Sequence, residues 1–309
     1  MYEIIYLKNY ILNSQMNYMI LYRGPLSSCN YTCSYCPFVK PKENRESLAR
    51  DKMALLRFVE WVHEQSSDRI GILFTPWGEA LIRRWYREAI IELSQIPHVA
   101  KVAIQTNLSC HLDWLEHCHK KTVALWTTFH PAQAKRKRFL VQCQKLDKLG
   151  IRYSVGIVGL KEHQNDIALL RCELKRQVYF WINAYKEVPN YYTPAELDYF
   201  KSIDPLFGFN LTRHKSKGRY CRTGKNVVTI DGEGNIYRCL FIKKILGNIY
   251  TQNIKTILKS CSCPNQYCDC YLGYVHIKDL GLYEVFGEGI LERCPVRGVL
   301  TTNRRRQSN

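Results

Sequence analysis

This sequence predicts an α/β fold: a partial (β/α)6, TIM-like barrel followed by a small C-terminal cysteine-rich α+β domain. Three observations predict it. Short apolar, β-branched runs alternate with amphipathic stretches from Met19 to about Ser202. About six such units are present, where a closed barrel of this kind has eight. Beyond roughly residue 205 the texture changes: strand candidates shorten, Gly-rich turns such as "DGEGN" at 231–235 appear, and six of the fourteen cysteines fall between Cys221 and Cys270. The chain thus divides into an N-terminal extension over 1–18 with no clear assignment, a core over 19–205 and a cysteine-rich domain over 206–309.

The strand candidates follow in order as "MILYRG" at 19–24, "IGILFT" at 70–75, "VAIQTN" at 102–107, "VALWTTF" at 123–129, "YSVGIVG" at 153–159 and "VYFWINAY" at 178–185. Helical stretches lie between them. Over 51–65, Met53, Leu56, Val59 and Val62 share one helical face. Gly150 ends the fourth helical stretch as a C-terminal cap, and "TPAE" at 193–196 is a capping box with proline in the first helical position. Strands alternating with helices imply right-handed βαβ units around a parallel sheet.

With 46% hydrophobic and 23% charged residues the chain has a globular balance. It shows no signal-peptide pattern and no window near the roughly 18 apolar residues of a membrane span, so a cytoplasmic protein without a membrane partner is expected. In a reducing compartment fourteen cysteines point to metal or cluster ligation rather than to disulfides. The formal net charge is +18, with basic runs at 135–138, 213–219 and 304–306. Such runs read either as solvated surface or as attraction for an anionic partner: nucleic acid, an acidic peptide or an acidic electron-transfer protein.

The stretch "SCNYTCSYCPF" at 28–38 places Cys29, Cys33 and Cys36 in a C-x3-C-x2-C spacing, with Tyr35 just before the last cysteine. Three thiolates do not close a structural zinc site and exceed a disulfide. The loop follows the first strand, and parallel barrels gather ligand groups on the loops after their strands. A zinc knuckle with a distant fourth ligand is the plain alternative. Spacing, aromatic residue and position resemble the radical S-adenosylmethionine (SAM) superfamily, whose core is a six-unit barrel, and "YRGPLSSCNY" at 22–31 resembles its bacterial members. The resemblance implies that the three thiolates hold a [4Fe-4S] cluster whose fourth iron chelates the amino and carboxylate groups of SAM. It also implies an oxygen-sensitive enzyme in which SAM is cleaved reductively to methionine and a 5'-deoxyadenosyl radical, which takes a hydrogen atom from the substrate.

Other positions carry the resemblance further. In "TPWGEAL" at 75–81, Gly78 and Glu79 match the family's G-G-E-P, whose backbone and glutamate meet the SAM amino group, while Trp77 replaces its first glycine and Ala80 its proline. Ile157, Gly159 and Glu162 follow the family's I-x-G-x-x-E arrangement, where the apolar residue packs on adenine; Ile157 and Gly159 read equally as core and turn. Thr127 and Thr128 end the fourth strand, where the family places a polar group near the ribose. Substrate-side residues do not transfer, and position at strand ends alone nominates Asn107, His130, Asn183 and Tyr185 as catalytic candidates.

Cys221, Gly234 and Cys239, with "LGNI" at 246–249, resemble the opening of the SPASM and twitch extensions, which bind auxiliary iron-sulfur clusters. The cysteines that follow, Cys261, Cys263, Cys268 and Cys270, depart from the SPASM spacing, and Cys294 is the one later cysteine. One auxiliary [4Fe-4S] cluster, held by Cys221, Cys239 and two of these four, is the expectation; a zinc site on the same thiolates is the alternative. Cys110, Cys118, Cys143 and Cys172 read as core. Relatives with such extensions most often modify peptides or proteins, so a peptide or protein substrate and an acidic flavodoxin- or ferredoxin-like electron donor are expected. Modification of a nucleoside or RNA is the rival favoured by charge, and a zinc-dependent nucleic-acid binding module is the non-enzymatic rival.

Overall fold

The computed structural model describes residues 16–38 and 42–296. Most of the extension over 1–18 and the basic run at 304–306 lie outside the described residues. Six parallel strands form the core of one sheet: β1 (Tyr18–Arg23), β2 (Ile70–Phe74), β3 (Val99–Thr106), β4 (Val123–Phe129), β5 (Arg152–Val158) and β6 (Phe180–Asn183), each paired with the next. The crossovers carry helices α1 (Arg45–Glu64), α2 (Arg84–Gln95), α3 (Arg136–Leu149) and α4 (Gln164–Glu173), with α5 (Pro194–Ile203) after β6. A parallel pair needs a crossover of this length, which is why the strand and helix signals alternate in the sequence.

The sheet continues past the six expected strands. β8 (Val227–Asp231) pairs in parallel with the free edge of β1, and β9 (Asn235–Tyr237) and β10 (Ile245–Asn248) follow antiparallel, giving the order β10-β9-β8-β1-β2-β3-β4-β5-β6. Among the described residues the two edges do not pair, so the barrel stays open. Part of the cysteine-rich segment thereby extends the core sheet. A separate ribbon of β7 (His214–Lys215) and β11 (Tyr267–Cys268) carries Cys268.

Side-chain alternation splits the core in two. Tyr18, Ile20 and Tyr22 face the helices, while Met19 and Leu21 join Leu73, Ala103, Trp126 and Trp181 in the lumen. Helix α1 starts earlier than the sequence pattern predicts, capped by Asn44 through a 2.8 Å bond from the Ser47 N–H. Its buried face is also rotated. Leu55, Phe58, Val59 and Val62 are buried, whereas Met53 and Leu56 are 65% and 37% exposed. The stacking of Phe58 on Tyr22, at 4.3 Å between centroids, fixes that rotation. Gly150 caps α3 at φ 69°, and the Thr193–Glu196 capping box forms as the sequence predicts. At the N-terminal end of the barrel, Glu292 is buried against Lys101 at 3.2 Å and Arg152 at 3.0 Å; removing one partner from such a group costs about 3–5 kcal/mol.

At the opposite, C-terminal mouth the loops are fastened by buried carboxylates. Glu79, 2% exposed, accepts from the Leu81 N–H at 3.1 Å, the Thr106 hydroxyl at 2.8 Å and the Asn107 N–H at 2.5 Å. Burial nevertheless pushes its carboxyl up to about 7. The folded chain therefore holds this proton between pH 4.5 and 7, where the unfolded chain has lost it, and stability contributed by the protonated form is lost as pH rises through that window. Relative to Glu79→Gln, the wild-type unfolding free energy should fall by about 3 kcal/mol from pH 4.5 to 7.5, measured by denaturant titration. A difference that grows with pH would contradict the assignment.

Candidate functional site

The cysteine loop follows β1 and has no ladder for its backbone groups, so side chains satisfy them. Asp51 on α1 accepts from the Leu26 N–H at 3.1 Å and is held in turn by the Trp85 indole and the Tyr86 hydroxyl. Glu43 accepts from the Ser27 and Ser28 N–H groups at 2.9 and 3.1 Å, and Arg83 donates to the Ser28 hydroxyl at 2.8 Å. The Glu79 N–H donates to the Ser28 carbonyl at 3.1 Å. Gly78 lies so close that a Cβ there would stand 1.9 Å from that carbonyl oxygen, so a glycine is required by close approach of two backbones.

Within this frame Cys33 is buried and Cys29 and Cys36 are half-buried, and the Cys36 N–H donates to the Cys33 carbonyl. His130, after β4, brings Nδ1 to 3.4 Å from the Cys33 sulfur and 2.9 Å from the Tyr35 hydroxyl. The Tyr35 ring lies parallel to the imidazole at 6.0 Å, and burial with the neighbouring Cys33 pushes its phenol up. Asn107 links the β3 loop to the cysteine loop through a 2.9 Å bond to Asn30. Of the other strand-end nominees, Asn183 accepts from Asn210, and the Tyr185 N–H donates to Tyr192; neither touches the cysteine loop in these contacts. Thr128 is half-buried, while the Thr127 hydroxyl is engaged by the Ser154 carbonyl at 2.7 Å. Ile157 is fully buried in the helix-side core, and the Gly159 N–H bonds the Asn183 carbonyl at 2.8 Å. Glu79, as described, directs both carboxylate oxygens at protein groups.

A second group of thiols surrounds a cavity of about 200 Å³ lined by Cys221, Cys239, Cys263, Cys268 and Cys270. Gly234, at φ 81°, makes the β8–β9 turn that brings Cys221 and Cys239 to one side. Cys261 is absent from the lining: Arg238 reaches its carbonyl at 2.8 Å and also bonds the Ser262 carbonyl. Burial, then the neighbouring Cys221 and Cys263, push the Cys239 thiol up to about 11. Burial and the thiols of Cys270, Cys239, Cys221 and Cys263 likewise push Cys268 up. Like charges in a dry cavity repel, and a bound cation reverses that balance by drawing off the protons. The donor set therefore fits a soft metal or an iron-sulfur cluster. Among the described residues no three such groups stand close enough to ligate an ion as placed. Cys110, Cys118 and Cys143 are buried as the sequence predicts, but Cys172 is exposed, two residues beyond the buried Leu170 of α4.

The basic runs are partly neutralised within the chain. Arg136 pairs with Asp166 and Glu173, Arg213 with Asp269, and Arg219 with Asp279. No described helix is long and apolar enough to cross a membrane.

No protein-family model matches this chain, and no curated protein matches it. Solved structures do. Native anSMEcpe with bound AdoMet and the Cp18Cys peptide is 15% identical, with a TM-score of 0.52 over 84% of each chain. Streptococcus suis SuiB bound to S-adenosylmethionine is 14% identical, with a TM-score of 0.53 over 81% of this chain and 68% of that one. At these identities the likeness is one of fold: this chain shares the fold of these two S-adenosylmethionine-bound proteins.

Proposed function

We propose that this chain is a radical SAM enzyme acting on a peptide or protein side chain. The observation that carries the reading is the C-x3-C-x2-C loop standing after β1 in this fold, with its backbone pinned by Glu43, Asp51 and the Glu79 N–H. Cys29, Cys33 and Cys36 would hold the [4Fe-4S] cluster, which with SAM supplies the 5'-deoxyadenosyl radical that abstracts a hydrogen atom from substrate. The chain's own contribution is positional. The pinned loop holds the thiols on one side of the mouth, and His130 orients Tyr35 beside them. The apolar lumen of Leu21, Leu73, Trp126 and Trp181 excludes water beneath the reacting groups. The peptide class rests on the expected relatives and on one similar structure having been solved with a peptide bound.

The second cavity is proposed as the auxiliary cluster site, with Cys221, Cys239, Cys263 and Cys268 as ligands. All four line the cavity, and Cys221 and Cys263 act on both Cys239 and Cys268, whereas Cys270, which also lines it, faces Lys186 and Arg293 as well. Four thiolates close a cluster, which suits electron transfer rather than SAM chelation. An acidic electron donor remains the proposed partner for the uncompensated part of the basic surface.

Two measurements test these readings. Reduced, reconstituted protein should release 5'-deoxyadenosine slowly from SAM without its substrate, and joint replacement of Cys29, Cys33 and Cys36 by alanine should abolish the release while iron at the second cavity persists. Undiminished cleavage in that variant would remove the function. In the same background, Cys261→Ala should retain the remaining iron by Mössbauer spectroscopy, and Cys221→Ala with Cys239→Ala should lose it. A single zinc with no iron would make the domain a structural clip.

A further inference from the structure

Arg23 ends β1 at the mouth of the barrel. Met19 and Leu21 on the same strand face the lumen, so alternation turns Arg23 to that side as well. Its guanidinium lies 4.2 Å from the centroid of the Trp77 ring, and its Nε donates to the Thr75 carbonyl at 2.8 Å. Phe38, at the end of the cysteine loop, meets the Trp77 ring edge-on at 5.0 Å. The plane of the guanidinium is therefore fixed by a ring and a carbonyl. Among the described residues its terminal nitrogens donate no hydrogen bond, and none of the ion pairs includes Arg23.

The nearest carboxylate along the sheet is already engaged. Asp231, opposite Arg23 on β8, accepts from the N–H groups of Glu233 and Asn235, the Asn235 side-chain amide and the Tyr237 hydroxyl. The ionisable group acting on Arg23 is the Cys270 thiol, and burial pushes the guanidinium down to about 10. Lys186 acts on the same thiol, with its ammonium tied to the Asn210 and Asp269 carbonyls. Asp269, the acid acting on Lys186, is itself paired with Arg213, so it too is engaged. A half-buried guanidinium with a fixed plane and two open donors is the complement of a planar carboxylate, which it binds bidentately.

The geometry points to Arg23, oriented by Trp77, as the anchor for a carboxylate of the substrate: an acidic side chain or the free C-terminus of a peptide. This rests on the radical SAM reading, which makes the mouth the place where substrate meets SAM. Trp77 stands where the family pattern has glycine, so the stacked plane belongs to this chain rather than to the pattern.

The test is binding of N-acetylglycine and of its neutral amide to the reconstituted protein by ligand-detected NMR, with and without SAM. The acid should bind at least about tenfold more tightly than the amide. Arg23→Gln should erase that difference, Arg23→Lys should restore part of it, and Trp77→Ala, at a site 40% exposed, should reduce it without unfolding the chain. Equal binding of acid and amide, including no binding of either in the millimolar range, overturns the proposal. It is also overturned if SAM displaces the acid and Arg23→Gln weakens SAM itself, because the anchored carboxylate would then be that of SAM. Iron content and 5'-deoxyadenosine release of the wild type, measured on the same preparation, report separately on the radical SAM reading.

Discussion

A loop that presents three thiols together cannot pair its backbone in a sheet, and everything at the mouth of this barrel follows from how that backbone is satisfied. Glu43 and Asp51 accept N–H groups from Leu26 to Ser28, and the Ser28 carbonyl takes the N–H of Glu79. These partners come from outside the loop, Glu43 just before α1, Asp51 on it and Glu79 after β2, so the loop's shape is imposed by other segments rather than by its own sequence. Gly78 is the closest point of that contact, and a single added carbon would force the two backbones apart. The carboxylates are costly to bury, and their several hydrogen bonds offset the cost.

The same economy of acceptors sets the two ends of the barrel apart. At the N-terminal end Glu292 meets Lys101 and Arg152, and Arg293 lies 4.3 Å from the Trp181 ring and 4.6 Å from that of Tyr271. Glu292 there meets two cations, while Arg293 meets aromatic faces. At the C-terminal mouth, Arg23 has an aromatic face and one carbonyl but no acid. Arg23 thus stands at the loop end of the strands, where parallel barrels gather their ligand groups.

The cysteine cavity is tied to this lumen through the sheet. β8 pairs with β1, the strand that leads into the cysteine loop and ends at Arg23, while Cys221 lies before β8 and Cys239 after β9. The sheet therefore joins the Cys29–Cys36 loop to Cys221 and Cys239, while Cys268 sits on the separate β7–β11 ribbon. Cys270 lines the cavity and is acted on by Lys186 and Arg293.

By itself the sequence determined the local features whose cause is local. The βαβ alternation, the Thr193–Glu196 capping box, the Gly150 cap and the C-x3-C-x2-C loop after the first strand are legible because spacing and propensity alone produce them. Only the tertiary structure decided what depends on distant partners. The face that α1 buries is set by Tyr22, so Met53 and Leu56 turn outward although the periodicity allowed them inside. β8 completes a sheet begun two hundred residues earlier, which no local pattern announces. Cys261 and Cys263 look alike in sequence, but Arg238 ties the Cys261 carbonyl while Cys263 lines the cavity. Arg23 reads as an ordinary end to a strand until Trp77, Thr75 and the occupied Asp231 surround it, because the lack of a partner for a charge is a property of the whole fold.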